Sequence, residues 1–224
     1  MRWDRRFYGG VPNVNTSQPS TFEHLIHTTQ QLVLEKGCRS TTLQDIIDRS
    51  GISKGGIYHY VSGKDELLGL VLKESFEETN RQFEEAVNAA LQKHASVRPF
   101  EILSKRMAGK DVHGRVVNEI YLYLVSQMDK PKVQKILSDL YQFRHRLSVQ
   151  WIQFGQQSGA IPQFVNVHQA AMILEVLRDG LRIQHAITEP PQHVQPDFVL
   201  QMLMNLLTDH SGMNLENKAS KAGD

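Results

Sequence analysis

A chain of 224 residues that is 40% hydrophobic can bury a sizeable core, as one domain or as a small domain joined to a larger one. Its formal net charge of +1 excludes the global basic field that many nucleic-acid binders carry, so any DNA affinity has to come from local placement. The single cysteine excludes an internal disulfide, no run approaches the roughly 18 apolar residues of a membrane span, and MRWDRRFYGG lacks the apolar region of a signal peptide; the expectation is a soluble, cytoplasmic chain.

Residues 1–19 hold Pro12, Pro19 and several Asn, Ser and Thr without apolar periodicity, and read as a flexible arm with a basic tip at Arg2, Arg5 and Arg6. Such a tip suits a DNA minor groove, although a solvated tail is the simpler reading. Ser20 and Glu23 form a capping box for a helix with Phe22, Leu25, Ile26, Leu32 and Val33 on one face, ended by Gly37. Cys38 reads as a packed small hydrophobe rather than a redox sensor. His24 and His27 lie one turn apart without further ligands at metal spacing, so no metal site is expected.

Thr41 with Gln44 reads as a second capping box, and Leu43, Ile46 and Ile47 give the next helix an apolar stripe. Gly51 stops it, because glycine takes a positive φ cheaply, and Ser53 caps a third helix, with Ile52 and Ile57 at the positions of a hydrophobic staple. This is a helix-turn-helix. Ile57 and Val61 point inward, leaving Lys54, Tyr58 and His59 projecting from the third helix and Lys64 just beyond it, all chemistries suited to phosphates and base edges. Gly55 and Gly56 would each cost about 1 kcal/mol inside a helix, a cost that close approach of a partner to the backbone would explain.

The stretch GISKGGIYHYVSGKDELL, preceded by a Thr-Thr helix start, resembles the DNA-binding domain of the TetR family of bacterial transcriptional regulators over about residues 22–72. The resemblance places Thr42, Ser53, Lys54, Gly55, Gly56, Tyr58, His59, Tyr60 and Lys64 at positions the family uses to touch DNA. Two departures stand out. Gly63 occupies the usual place of a Ser that caps the fourth helix, and Val61 that of a Phe, which implies a looser start to that helix.

Farther along, Leu67, Leu68, Val71, Leu72, Phe76, Phe83, Val87, Ala90 and Leu91 sustain one face of a long helix from Lys64 to about Leu91. A short helix runs from Pro99 to Gly109, another over 112–128, and a third from Pro131 to the GQQSGAIP turn. Two last helices, about 167–187 and 196–209, flank the EPPQHVQP breaker and are apolar nearly all round, so each has two faces to bury, one on a second subunit. In the resembling family such helices pair into a four-helix bundle; Leu177 and Leu206 are the expected interface residues, with Gly180 permitting close approach.

The expected architecture is all-α: a 1–19 arm, a helix-turn-helix domain over 20–66, a ligand-binding and dimerisation domain over 67–210, and a polar tail over 211–224. The resemblance implies a repressor that binds a palindromic operator as a homodimer and is released by a small molecule; Tyr121 and Trp151, each a broad apolar face with one hydrogen-bonding tip, are the expected pocket walls. Glu119 and Glu175 are the acids that would suit a cationic inducer. No phosphate-binding glycine loop, HExxH or GxSxG motif supports an enzyme, and no cofactor is expected. The other class compatible with this layout is a helical adaptor that uses the helix-turn-helix as a scaffold.

Overall fold

Helix α1 (Thr21–Ser40) starts where the Ser20 hydroxyl accepts from the Glu23 amide at 3.2 Å and the Glu23 carboxylate accepts from the Ser20 amide at 2.8 Å. That reciprocal pair satisfies two of the amide donors that every helix start leaves over. The computed structural model describes residues 20–93, 98–109, 112–188 and 194–208, so the arm and the polar tail lie outside the described residues. Gly37, at φ 78°, breaks α1, and one further turn carries the chain to Ser40. There the second cap departs from the expectation. Thr41 is fully buried and donates its hydroxyl to the Gly37 carbonyl, while Thr42 and Asp45, one residue later, form the capping box. The buried hydroxyl seals the broken end of α1 and is therefore not available to cap the second helix.

Helix α2 (Leu43–Ser50) ends at Gly51, whose φ of 68° is left-handed, and Ser53 caps α3 (Lys54–Tyr60) by accepting from the Gly56 amide at 3.1 Å. Ion pairs hold α2 on α1: Arg49 forks onto Glu35 at 3.0 Å through both nitrogens, and Lys36 reaches Asp45 at 2.7 Å. Helix α4 (Lys64–Lys93) begins behind Gly63 without a side-chain cap at that residue, but Glu66 reaches back and accepts from both the amide and the hydroxyl of Ser62 at 2.7 Å. The missing Ser is compensated by a carboxylate one turn in.

Helix α4 is the spine. It packs on α1, on α5 (Arg98–Ala108), on α6 (Val112–Val125) and on α7 (Pro131–Gln157), while α8 (Val167–Ile187) lies on α7 and α9 (Pro196–Thr208) on α5. Leu67, Leu68, Val71, Leu72, Phe76 and Phe83 are buried along it, as the apolar spacing requires. One apolar cluster runs unbroken from Leu25 in α1 to Leu207 in α9. At its far end the Phe83 ring centroid lies 5.8 Å from Phe100, 5.5 Å from Trp151 and 5.7 Å from Phe154, mostly edge to face, which suits the ring quadrupoles. Among the described residues every regular element is a helix, and none is long and apolar enough to cross a membrane.

Candidate functional site

The helix-turn-helix presents one face outward. Thr42, Ser53, Lys54, Gly55, Tyr58 and His59 are exposed there, with Ile57 and Val61 buried beneath them. The Lys54 ammonium lies 5.9 Å from the Tyr58 ring centroid, so cation and phenol form one patch. The two glycines differ. A Cβ on Gly55 would meet open space, whereas one on Gly56 would lie 3.0 Å from Ile52 Cγ2 and 3.3 Å from the Ser53 hydroxyl, so Gly56 is accounted for by the staple and cap inside the domain. Tyr60 turns back: its ring lies 5.7 Å from Phe22 of α1 and joins the edge of the core.

Lys64 sits between the two halves of the chain. Its ammonium donates to the Cys38 carbonyl at 2.9 Å and lies 5.0 Å from the Tyr123 ring centroid on α6. Beside it the Cys38 amide donates to Glu119 of α6 at 2.9 Å, and the Tyr123 hydroxyl donates to Asp65 of α4 at 3.3 Å. The three of these contacts that reach α6 tie the end of α1 and the start of α4 to a single helix. Burial, with the Glu119 charge adding to it, pushes the Cys38 thiol up to about 12, which keeps it protonated and inert.

Behind this junction α6 forms a wall of a cavity of about 320 Å³ between α4, α5, α6 and α8, within the size range of small-molecule sites. Phe76, Leu103, Met107, Val117 and Leu122 supply its apolar lining, and Arg106, Arg115, Arg178, Arg182 and Glu119 its charge. Trp151 also lines it, with its indole N–H donating to Asn80 at 2.9 Å. Tyr121 does not. It lines a smaller neighbouring cavity of about 120 Å³ and donates its hydroxyl to Asp179 at 2.9 Å, with the Arg182 guanidinium 4.4 Å from its ring centroid.

A buried ionic cluster joins the two cavities. Arg144 of α7 forks onto Asp179 at 3.0 and 3.1 Å and places its Nε 3.0 Å from Glu175, while Arg178 reaches Glu175 at 3.0 Å and Arg182 reaches Asp179 at 3.3 Å. Ser148 donates to the other Glu175 oxygen at 2.6 Å. Although burial opposes it, hydrogen bonding from Arg144 holds the Asp179 carboxyl below its ordinary range. Burial, reinforced by Arg144 and Arg178, pulls Arg182 down to about 10. Glu175 and Glu119, the acids suited to a cationic inducer, are thus committed: Glu175 to two arginines and a serine, Glu119 to the Cys38 amide. The sequence signal for the cluster was the charged spacing Glu175, Arg178, Asp179 and Arg182, a single stripe on an otherwise apolar helix.

The opposite face of α8 carries Met172, Val176, Ile183 and Ile187, all exposed, with Gly180 on the same stripe. Val176 is 69% and Ile187 74% exposed. On α9 Phe198 and Leu206 are exposed as well, whereas Leu177 is half-buried against the core.

A helix-turn-helix with a polar, cationic outer helix, carried on a helical body, is the architecture of a DNA-binding regulator of transcription. The family described as "Bacterial regulatory proteins, tetR family" matches residues 25–71, the span from α1 into α4. The HTH-type transcriptional repressor KstR2 of Rhodococcus jostii is 23% identical over 83% of this chain and 88% of its own. Among solved structures, Salmonella enterica GusR superposes with a TM-score of 0.59 at 21% identity, covering 87% of this chain and 99% of that one. The SmeT–triclosan complex superposes with a TM-score of 0.59 at 14% identity, covering 86% and 94% respectively. Over residues 25–71, the reading head, the chain matches the TetR family of bacterial transcriptional regulators, and its helical body shares the fold of solved members.

Proposed function

We propose that this regulator is a cytoplasmic repressor that binds a palindromic operator as a homodimer and is released when a small molecule enters the cavity. The observation that carries the sensing part is the sharing of α6. Asn118, Glu119 and Leu122 line the cavity, and Glu119 and Tyr123 hold the end of α1 and the start of α4. A ligand that prefers one placement of α6 therefore favours one placement of the reading head, and it acts only through its difference in affinity between the two arrangements. A coupling of about 1–3 kcal/mol gives roughly 5- to 150-fold weaker operator binding.

On the DNA side, α3 enters the major groove with Lys54 nearest the base edges, Gly55 allowing close backbone approach, and Thr42, Ser53, Tyr58 and His59 beside it. Gly56 and Tyr60 act from behind, one by shaping the cap and the other by fixing α3 on α1. Lys64 commits one proton to Cys38 and keeps two for a phosphate. Two reading heads at fixed separation need a dimer, and the outward apolar stripe of α8 together with Phe198 and Leu206 of α9 is suited to pairing across a two-fold axis. The SmeT–triclosan complex, a relative in fold holding a small molecule, supports the ligand-responsive reading.

The test begins by selecting binding sites from a random duplex library with the full-length protein. An inverted repeat with half-sites about one helical turn apart is the expected result. Failure to enrich any sequence would leave the helix-turn-helix as a scaffold, as in the adaptor reading.

A further inference from the structure

Within the ionic cluster of α7 and α8, three guanidinium groups face two carboxylates, which leaves one positive charge among the described residues. The distribution of hydrogen bonds shows where that charge lies. Arg144 takes both Asp179 oxygens and approaches Glu175, and it lies away from the larger cavity. Arg178 and Arg182 each spend one of five N–H donors on a carboxylate, Arg182 at the longer distance of 3.3 Å, and both line the cavity. Each is backed by an aromatic ring, Arg178 by Trp151 at 6.0 Å and Arg182 by Tyr121 at 4.4 Å, which fixes the planar groups without using their N–H bonds. The acids behind them already have other donors: Asp179 accepts from Tyr121 and twice from Arg144, and Glu175 accepts from Ser148.

A purely structural ion network has no need of a surplus cation with open donors at a cavity wall, because desolvating an unmatched charge is costly. The polar end of this cavity also contains Asn118, whose amide nitrogen donates to the Arg182 carbonyl while its Oδ1 is buried without a donor among the described residues. Phe76, Leu103, Met107 and Val117 give the same cavity an apolar lining. We propose that the cavity binds an organic acid with an apolar body, its anionic group held by Arg178 and Arg182 and its body against Phe76, Leu103, Met107 and Val117. This rests on the cavity being the effector site proposed above. The fork geometry of two adjacent guanidinium groups matches a carboxylate or a phosphate ester equally well.

The experiment titrates the full-length protein, without DNA, by calorimetry against probes that share an apolar body and differ at one end: decanoate, decyl phosphate, decanol and decyltrimethylammonium, with naphthylacetate and naphthylethanol as a ring-shaped pair. At least one acid is expected to bind about tenfold or more tightly than its matched alcohol. Whichever of decanoate and decyl phosphate binds more tightly identifies the acid group. Arg182→Gln should erase the preference of acid over alcohol, with folding verified by thermal melting; Arg178→Gln serves if the first variant does not fold, and the ligand comparison stands without either. Equal affinity for acid and alcohol, tighter binding of the ammonium probe, or no binding by any probe overturns the proposal. An acid that binds but leaves the operator complex intact would refute the sensing reading while leaving the ligand class standing.

Discussion

At the scale of single residues, Lys54 and Lys64 test the two parts of the proposed DNA contact, recognition and anchorage. Among the described residues Lys54 meets only the Tyr58 ring, so Lys54→Ala should leave the melting temperature unchanged, weaken specific binding and relax sequence preference by about 1–3 kcal/mol at one position. Lys64 holds the Cys38 carbonyl, and in the proposed complex it also meets a phosphate. Lys64→Ala should therefore lower the melting temperature and reduce the slope of log K against log salt by about one; an unchanged slope would remove it from the phosphate contacts. Cys38 gives a third check. Its thiol is raised in the folded chain from 9.0 to about 12, so the unfolded state loses that proton first, and stability falls as pH rises between those values. Below pH 9 the native thiol should resist alkylation until the chain is unfolded with denaturant.

At the scale of elements, α3 and α8 each depart from the usual rule for a helix of their kind. In α3 the glycine pair divides: Gly55→Ala meets no atom and removes backbone freedom, so it should raise stability by about 0.4–1 kcal/mol while weakening DNA binding, if the backbone there approaches DNA. Gly56→Ala presses on Ile52 and Ser53, and its gain should be cancelled by that strain. Thermal melts and salt titrations of the two variants distinguish a glycine kept for a partner from one kept for a cap. In α8 charges share the inward side with buried Ala170, Ala171, Leu174 and Leu181, and a second apolar stripe faces out. The inward face carries Glu175, Arg178, Asp179 and Arg182, and the outward face carries Met172, Val176, Ile183 and Ile187. Charges can face inward only when paired, and an apolar stripe this exposed calls for a partner surface.

At the scale of the whole molecule, the outward apolar stripe of α8 bears on assembly. Val176→Glu or Leu206→Glu would place a charge in the proposed bundle, and sedimentation should then show monomers with lost operator binding and unchanged thermal stability of the chain. Leu177→Glu should do more damage, because Leu177 is half-buried against the core and its substitution would lower the melting temperature as well. A wild-type chain that sediments as a monomer at micromolar concentration would refute the dimer. The continuous core from α1 to α9 bears on sensing in the same way: with no break in packing between reading head and cavity, movement of α6 has a route to α1 and α4 through Glu119 and Tyr123. Glu119→Ala would leave the Cys38 amide without its acceptor and should reduce the ligand's effect on operator affinity, measured as the ratio of Kd values with and without effector.

Much of the fold was legible in the sequence because local signals decide local structure: Ser20 with Glu23, Gly51, Ser53 and the spacing of Leu67 to Phe83 fix where helices start, stop and face, whatever surrounds them. The cap at Thr42 rather than Thr41 was missed because two adjacent threonines offer the same hydroxyl, and only the break in α1 at Gly37 draws Thr41 inward. Of the two expected pocket walls, Trp151 lines the large cavity and Tyr121 stands behind Arg182, a distinction that spacing along α6 and α7 cannot make. The cationic character of the cavity was hidden for a related reason. Glu175 and Arg182 are equally visible as letters, but which charge is neutralised and which faces empty space depends on Arg144, more than 30 residues away on another helix. Helix boundaries follow from neighbours along the chain; the sign of the charge in a cavity follows from neighbours across it, and those are set only when α7 and α8 pack.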